Sequence, residues 1–133
     1  MQNDSRVPIH SATDIVTARQ KGRALAEAMG FDGSDLTLIA TAISEVARNI
    51  LDHAKKGEIV LSPIQQGNKH GVLIVARDEG RGIPDIALAM QYGYSTGKGL
   101  GVGLPGAKWL MDEFHIDSCV GKGTTVTMRK WLS

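Results

Sequence analysis

The sequence is poor in cysteine: Cys119 is the only one among 133 residues. A single cysteine excludes an internal disulfide and any zinc site built from several cysteines. The chain also lacks a charge excess, because fifteen basic residues stand against fourteen acidic ones and no run of lysine or arginine exceeds two. We therefore expect neither nucleic acid nor a membrane surface as a partner.

Long hydrophobic runs are absent as well. The N-terminal stretch MQNDSRVPIH has no apolar segment of the kind found in secretory signals, and no apolar run approaches the ~18 residues of a membrane span. These absences predict a cytoplasmic protein. The length of 133 residues and the hydrophobic content of 42% predict a single globular domain over residues 1–133.

Hydrophobic periodicity predicts an alternating series of elements. Apolar residues at helical spacing indicate one helix from Ser11 to Gly30 and a second from about Ser34 to Ala54. The other predicted elements are strands at 7–9, 58–64 and 72–77, helices at 84–91 and 104–113, and a hairpin of 114–120 with 124–131. This order predicts an α/β fold, a two-layer sandwich with a mixed, mostly antiparallel sheet and helices on one face.

The second helix carries a polar row beside its apolar stripe. Glu45, Asn49 and His53 recur every four residues and therefore share one face. Such a row is usually the solvated side of an amphipathic helix. Alternatively, the amide oxygen of Asn49 could bind a hard cation such as Mg²⁺, which prefers oxygen ligands, and Glu45 could serve in proton transfer.

Glycines cluster in the segment YGYSTGKGLGVGLPGAK, residues 92–108. It is not a P-loop, because only three residues separate Gly93 from Gly97 and a glycine, not a hydroxyl residue, follows Lys98. It is not a dinucleotide fingerprint either, since no strand precedes it. A glycine-rich segment that opens a helix can still present backbone N–H groups to an anion, and Lys98 would add a positive charge.

The stretch DEGRGI, residues 78–83, follows an apolar run. Taken alone, Asp78, Gly80 and Gly82 are typical of a turn, because Asp bonds its own backbone and Gly adopts positive φ.

Four segments of the chain are more specific in combination than this stretch is alone. SEVARNI, DEGRGI, GLGVGL and GKGTTV resemble, in order and in approximate spacing, the N, G1, G2 and G3 boxes of the GHKL superfamily, whose members share the Bergerat nucleotide-binding fold. The chain is most similar to the bacterial anti-sigma-factor serine kinases, and among them to stressosome switch kinases.

The resemblance implies an adenine site around the G1 box. Asp78 would accept a hydrogen bond from the adenine 6-amino group, and Thr124 of the last box would assist there. Gly80 and Gly82 would let the backbone pass close to the nucleotide.

The resemblance also implies a site for the phosphates. Asn49 would bind Mg²⁺, and Glu45 would orient or deprotonate the attacking serine or threonine hydroxyl. His53, in the same polar row, is expected to belong to the ATP-binding site as well. The ATP lid would be formed by Gly99, Gly101 and Gly103. Related kinases often place an arginine near the lid, where this sequence has only Lys98.

The function implied is that of an ATP-dependent serine/threonine kinase that works by partner switching. Its substrates would be STAS-domain proteins of the stressosome, and after release it would bind and activate a PP2C-type phosphatase. Two alternatives are a nucleotide-gated binding module without significant catalysis, in which Glu45 only supports the helix, and a stand-alone ATPase.

Overall fold

The computed structural model describes residues 4–80, 82, 90 and 103–132. Within these residues the chain forms five strands and three helices. In chain order they are β1 (Ser5–Ile9), α1 (Ala12–Met29), α2 (Gly33–His53), β2 (Gly57–Gln66), β3 (Lys69–Asp78), α3 (Gly103–Leu110), β4 (Glu113–Cys119) and β5 (Gly123–Trp131). The helix expected at 84–91 lies outside the described residues.

The strands form one sheet in the order β1-β2-β3-β5-β4. Each of the four pairings within the described part is antiparallel. The predicted α/β fold with a mostly antiparallel sheet is therefore confirmed. Because β5 inserts between β3 and β4, Asp78 at the end of β3 lies directly opposite Thr124 at the start of β5.

Helices α1 and α2 pack against each other and against the sheet, and together they enclose the core. The apolar stripe predicted for α2 is buried at five positions, while its last member, Ala54, is half-buried. The five buried residues are Leu36, Ala40, Ile43, Ala47 and Ile50. The start of α1 was also predicted correctly, since Ser11 and Asp14 form a capping box and the helix ends at Gly30 with φ 109°. In the described ranges no helix is both long and apolar enough to cross a membrane.

Helix α3 is shorter than its apolar pattern predicts, because the chain joins the sheet earlier. The Asp112 N–H already donates to the Arg129 carbonyl at 3.0 Å. The ammonium of Lys130, whose side chain is only 12% exposed, donates to the Leu110 carbonyl at 3.2 Å, and the Trp131 N–H donates to Asp112 at 2.7 Å. A lysine at a helix C-terminus satisfies a carbonyl that has no partner within the helix. The far end of α3 is thus fixed to β5.

The two tryptophans have different surroundings. Trp109 lies on α3 with 80% of its surface exposed. Trp131 is half-buried on β5, where its indole N–H donates to Glu113 at 2.8 Å and the Lys69 ammonium lies 5.4 Å from the ring centroid. Only the second ring is therefore held by polar contacts within the described part of the chain.

Candidate nucleotide-binding and phosphotransfer site

Asp78 is a buried carboxylate, 6% exposed, at the last position of β3. Its Oδ1 accepts hydrogen bonds from the Gly80 N–H at 2.9 Å and from the Thr124 N–H at 3.2 Å. The first of these hydrogen bonds closes the turn that the sequence indicates for this stretch. Among the described residues, both hydrogen bonds to the carboxylate arrive at the same oxygen. Oδ2 therefore remains as an acceptor for a donor such as an exocyclic amino group.

Thr124 contributes its backbone to this arrangement, and its side chain is only 3% exposed. Its hydroxyl lies 2.7 Å from the Ser118 hydroxyl on the neighbouring strand, and the Ser118 hydroxyl is also 3.3 Å from the Gly123 carbonyl. The threonine is therefore held between Asp78 on one side and Ser118 on the other. The hydrogen bond from the Thr124 N–H thereby holds the Asp78 carboxylate at the end of the sheet.

Gly80 and Gly82 are required by contacts within the protein itself. A Cβ on Gly80 would lie 2.5 Å from the Ala54 Cβ and 2.8 Å from the His53 carbonyl oxygen. Gly82 has a φ of 77°, and a Cβ there would meet the Cys119 carbonyl. The resemblance to the GHKL superfamily implies close approach to a nucleotide as the reason for both glycines. The structure adds another reason, since Gly80 seats the turn on the end of α2.

We expect Gly80→Ala to weaken both folding and nucleotide binding. The added methyl group would push the Asp78 turn away from α2, and overpacking of this kind costs about 1 to 3 kcal/mol. Thermal unfolding and calorimetric titration with ATP check this expectation. Adding Ala54→Gly should restore little of the stability, because the new methyl group would still lie 2.7 Å from the Ala54 Cα and 2.8 Å from the His53 carbonyl oxygen. Unchanged stability and affinity in Gly80→Ala would show that the turn can move freely.

Glu45 is buried in the middle of α2, where only 7% of its surface is exposed. Its Oε1 accepts a hydrogen bond from the Gly103 N–H, the first residue of α3, at 3.1 Å. Its Oε2 lies 3.4 Å from Nη1 of Arg48 on the next turn. The interpretation as a solvated helix face is therefore wrong for Glu45. A carboxylate at the start of a helix also interacts favourably with the helix dipole.

Asn49 and His53 continue the same row and are half-buried. No three histidine, cysteine, aspartate or glutamate side chains cluster as a metal site in the described ranges. A magnesium ion does not need such a cluster, because it usually keeps several waters and takes one or two protein oxygens together with phosphates. Asn49, one helical turn after Glu45 on the same helix, carries an amide oxygen of the kind that binds Mg²⁺.

The structure thus brings the predicted residues to one helix from two sides. The Asp78 turn packs on the C-terminal end of α2 through Gly80, while Gly103 contacts its middle through Glu45. Lys98, Gly99 and Gly101 lie outside the described residues. Sequence reasoning missed Arg48. Its three-residue spacing from Glu45 in SEVARNI, which is suited to an ion pair on a helix, was the available signal.

Residues 10–130 match the model of the histidine kinase-like ATPase domain. The chain is 49% identical over 132 residues to the serine/threonine-protein kinase RsbT of Bacillus subtilis, and the match covers 99% of each chain. It is 37% identical over 100 residues to the anti-sigma F factor of Thermoanaerobacter sp., covering 71% of this chain and 68% of that one.

Solved structures share the fold at lower identity. The RsbU and RsbW domains of a Mycobacterium tuberculosis protein superpose with a TM-score of 0.61 at 23% identity, covering 98% of this chain and 33% of that one. The mycobacterial sensor histidine kinase MprB superposes with a TM-score of 0.57 at 15% identity, covering 98% and 97% of the two chains. An ATPase domain implies ATP binding. The chain belongs to the histidine kinase-like ATPase (GHKL) family, in the branch of the RsbT-like serine/threonine kinases and anti-sigma factors.

Proposed function

We propose that this chain transfers the terminal phosphoryl group of ATP to serine or threonine residues of STAS-domain proteins of the stressosome. The full-length similarity to a serine/threonine kinase supports the activity. The observation that carries the proposal is the buried carboxylate of Glu45, one helical turn before Asn49 and in contact with the start of α3. A carboxylate beside a metal-binding amide suits a reaction in which a hydroxyl attacks a phosphoryl group.

The proposed roles fall at two places in the site, one for the adenine and one for the phosphates. Asp78, held by Gly80 and Thr124, would select adenine through its second oxygen. Asn49 would bind Mg²⁺, which neutralises charge on the phosphates during transfer. Glu45 would orient the acceptor hydroxyl and take its proton.

The second part of the proposal is partner switching. Phosphorylation would lower the affinity of the STAS-domain substrate for the kinase. The released kinase would then bind and activate a PP2C-type phosphatase. The full-length similarity to RsbT supports partners of the stressosome for this chain.

The activity is tested with radiolabelled ATP and STAS-domain proteins from the same cell. We expect label on serine or threonine of a STAS protein when Mg²⁺ is present, and none when the metal is chelated. Binding of the STAS protein without any transfer of label would overturn the kinase proposal. It would favour the alternative, a nucleotide-gated binding module.

If Asn49 binds Mg²⁺, the substitution Asn49→Ala should weaken ATP binding only when the metal is present. We expect about tenfold weaker ATP binding in Mg²⁺, because the cation loses a direct oxygen ligand, and little change when the metal is chelated. Titration calorimetry under both conditions measures the difference. Asp52→Ala, which removes an exposed polar group from the same helix, is the matched control. An equal loss with and without metal would assign Asn49 to the nucleotide or to the fold.

A further inference from the structure

Arg48 is an ion-pair partner of Glu45 that the proposed chemistry does not use. Its Nη1 lies 3.4 Å from Glu45 Oε2, and its side chain is 37% exposed whereas Glu45 is 7% exposed. The pair therefore connects a buried carboxylate with a partly exposed cation. Its position in the sequence, directly before Asn49, places it on the helix that carries both proposed phosphotransfer residues.

The two oxygens of Glu45 are held from different directions. Gly103 approaches Oε1 from the start of α3, and Arg48 approaches Oε2 from the next turn of α2. The terminal torsion of a glutamate is broad, so one hydrogen bond alone leaves the carboxylate plane free to turn. A donor on each oxygen restricts that rotation. In the described part of the chain, Arg48 is the side chain that supplies the second donor.

Most surface ion pairs contribute little, because water screens both charges. This pair differs, since its acidic member is buried and the loss of one partner leaves a carboxylate with fewer contacts in a low-dielectric environment. Arginine suits the position because its guanidinium keeps its charge and reaches Oε2 of Glu45 through Nη1. Glutamine at this position would keep much of the side-chain length without the charge.

We propose that Arg48 is a positioning residue, which fixes the Glu45 carboxylate toward the acceptor hydroxyl of the protein substrate. This inference rests on the proposed kinase function. Arg48 acts through Glu45 and has no independent part in transfer. Its removal should therefore affect the rate only while Glu45 can act.

A double-mutant cycle tests the inference. We expect Arg48→Gln to lower kcat about tenfold with an unchanged KM for ATP, because a misplaced catalytic group costs rate rather than binding. Arg48→Lys should recover part of the rate, since it restores a cation near Oε2. In a Glu45→Gln background, Arg48→Gln should have no further effect. Arg23→Gln, at an exposed arginine on α1, is the matched control and should behave like wild type.

The outcomes separate the possible roles. An additive loss of rate in the double variant would overturn the inference, because it would mean that Arg48 acts independently of Glu45, for instance on a phosphate. A lowered midpoint of thermal unfolding that accounts for the lost rate would assign Arg48 to the fold and also overturn it. Failure of the wild type to label any STAS protein would instead contradict the kinase function, and the inference would fall with it.

Discussion

Glu45→Gln is expected to leave ATP binding intact and to slow phosphotransfer by about 10² to 10⁴, the usual contribution of a general base. Glutamine keeps the size of the side chain and an oxygen that can accept the hydrogen bond from Gly103. Arg48 loses its carboxylate partner, but it is partly exposed and can bind water instead. The fold should therefore persist while the proton acceptor is removed.

A phosphorylation time course on a STAS-domain substrate measures this effect, and calorimetry with ATP and thermal unfolding provide the controls. A helix residue with only a supporting role predicts a small change in stability and none in transfer. Transfer at the wild-type rate in Glu45→Gln would mean that the base lies elsewhere, or that the hydroxyl reacts without one.

Asp78→Asn is expected to weaken ATP binding roughly ten- to a hundredfold. The amide oxygen of asparagine can still accept the two backbone hydrogen bonds from Gly80 and Thr124, so the turn should keep its shape. The amide nitrogen, however, would replace Oδ2 and face the adenine amino group with a donor. A buried donor that meets another donor costs about 1 to 3 kcal/mol.

The same substitution makes a prediction about base selectivity. Inosine triphosphate has a carbonyl oxygen where ATP has the amino group, and this oxygen can accept a hydrogen bond from the new amide. We expect Asp78→Asn to bind ITP at least as well as the wild type does, while its affinity for ATP falls. If both nucleotides lose affinity equally, Asp78 supports the fold of the turn and does not read the base.

The periodic elements could be predicted from the sequence because their apolar residues recur on one face. This holds for α1, α2 and the strands, whose predicted positions differ from the structure by a few residues at the ends. The end of α3 was placed three residues too late, at 113 instead of Leu110. Its apolar pattern continues, but the hydrogen bond from Asp112 to Arg129, a residue distant in sequence, draws the chain into the sheet. Local periodicity cannot report such a contact.

The candidate site, like the fold, could be predicted from the sequence only in part. The spacing of Glu45, Asn49 and His53 revealed a shared helix face, but not which neighbour covers it. Glu45 accepts a hydrogen bond from Gly103, which is 58 residues away. The reason for Gly80 was likewise hidden, because its close neighbours belong to the end of α2. Sequence patterns thus identified the polar groups, and the fold determined their partners.

The unequal surroundings of the two tryptophans give the protein an internal optical reporter. The indole of Trp109 is 80% exposed on the helix that begins at the Glu45 contact, so its emission should lie at long wavelength and be readily quenched by iodide. Trp131, held by Glu113 and Lys69, should contribute a steadier background. A Trp131→Phe variant would leave Trp109 as the only tryptophan in the sequence. Its spectrum would then follow in real time any protein that covers α3, without a dye attached to either molecule.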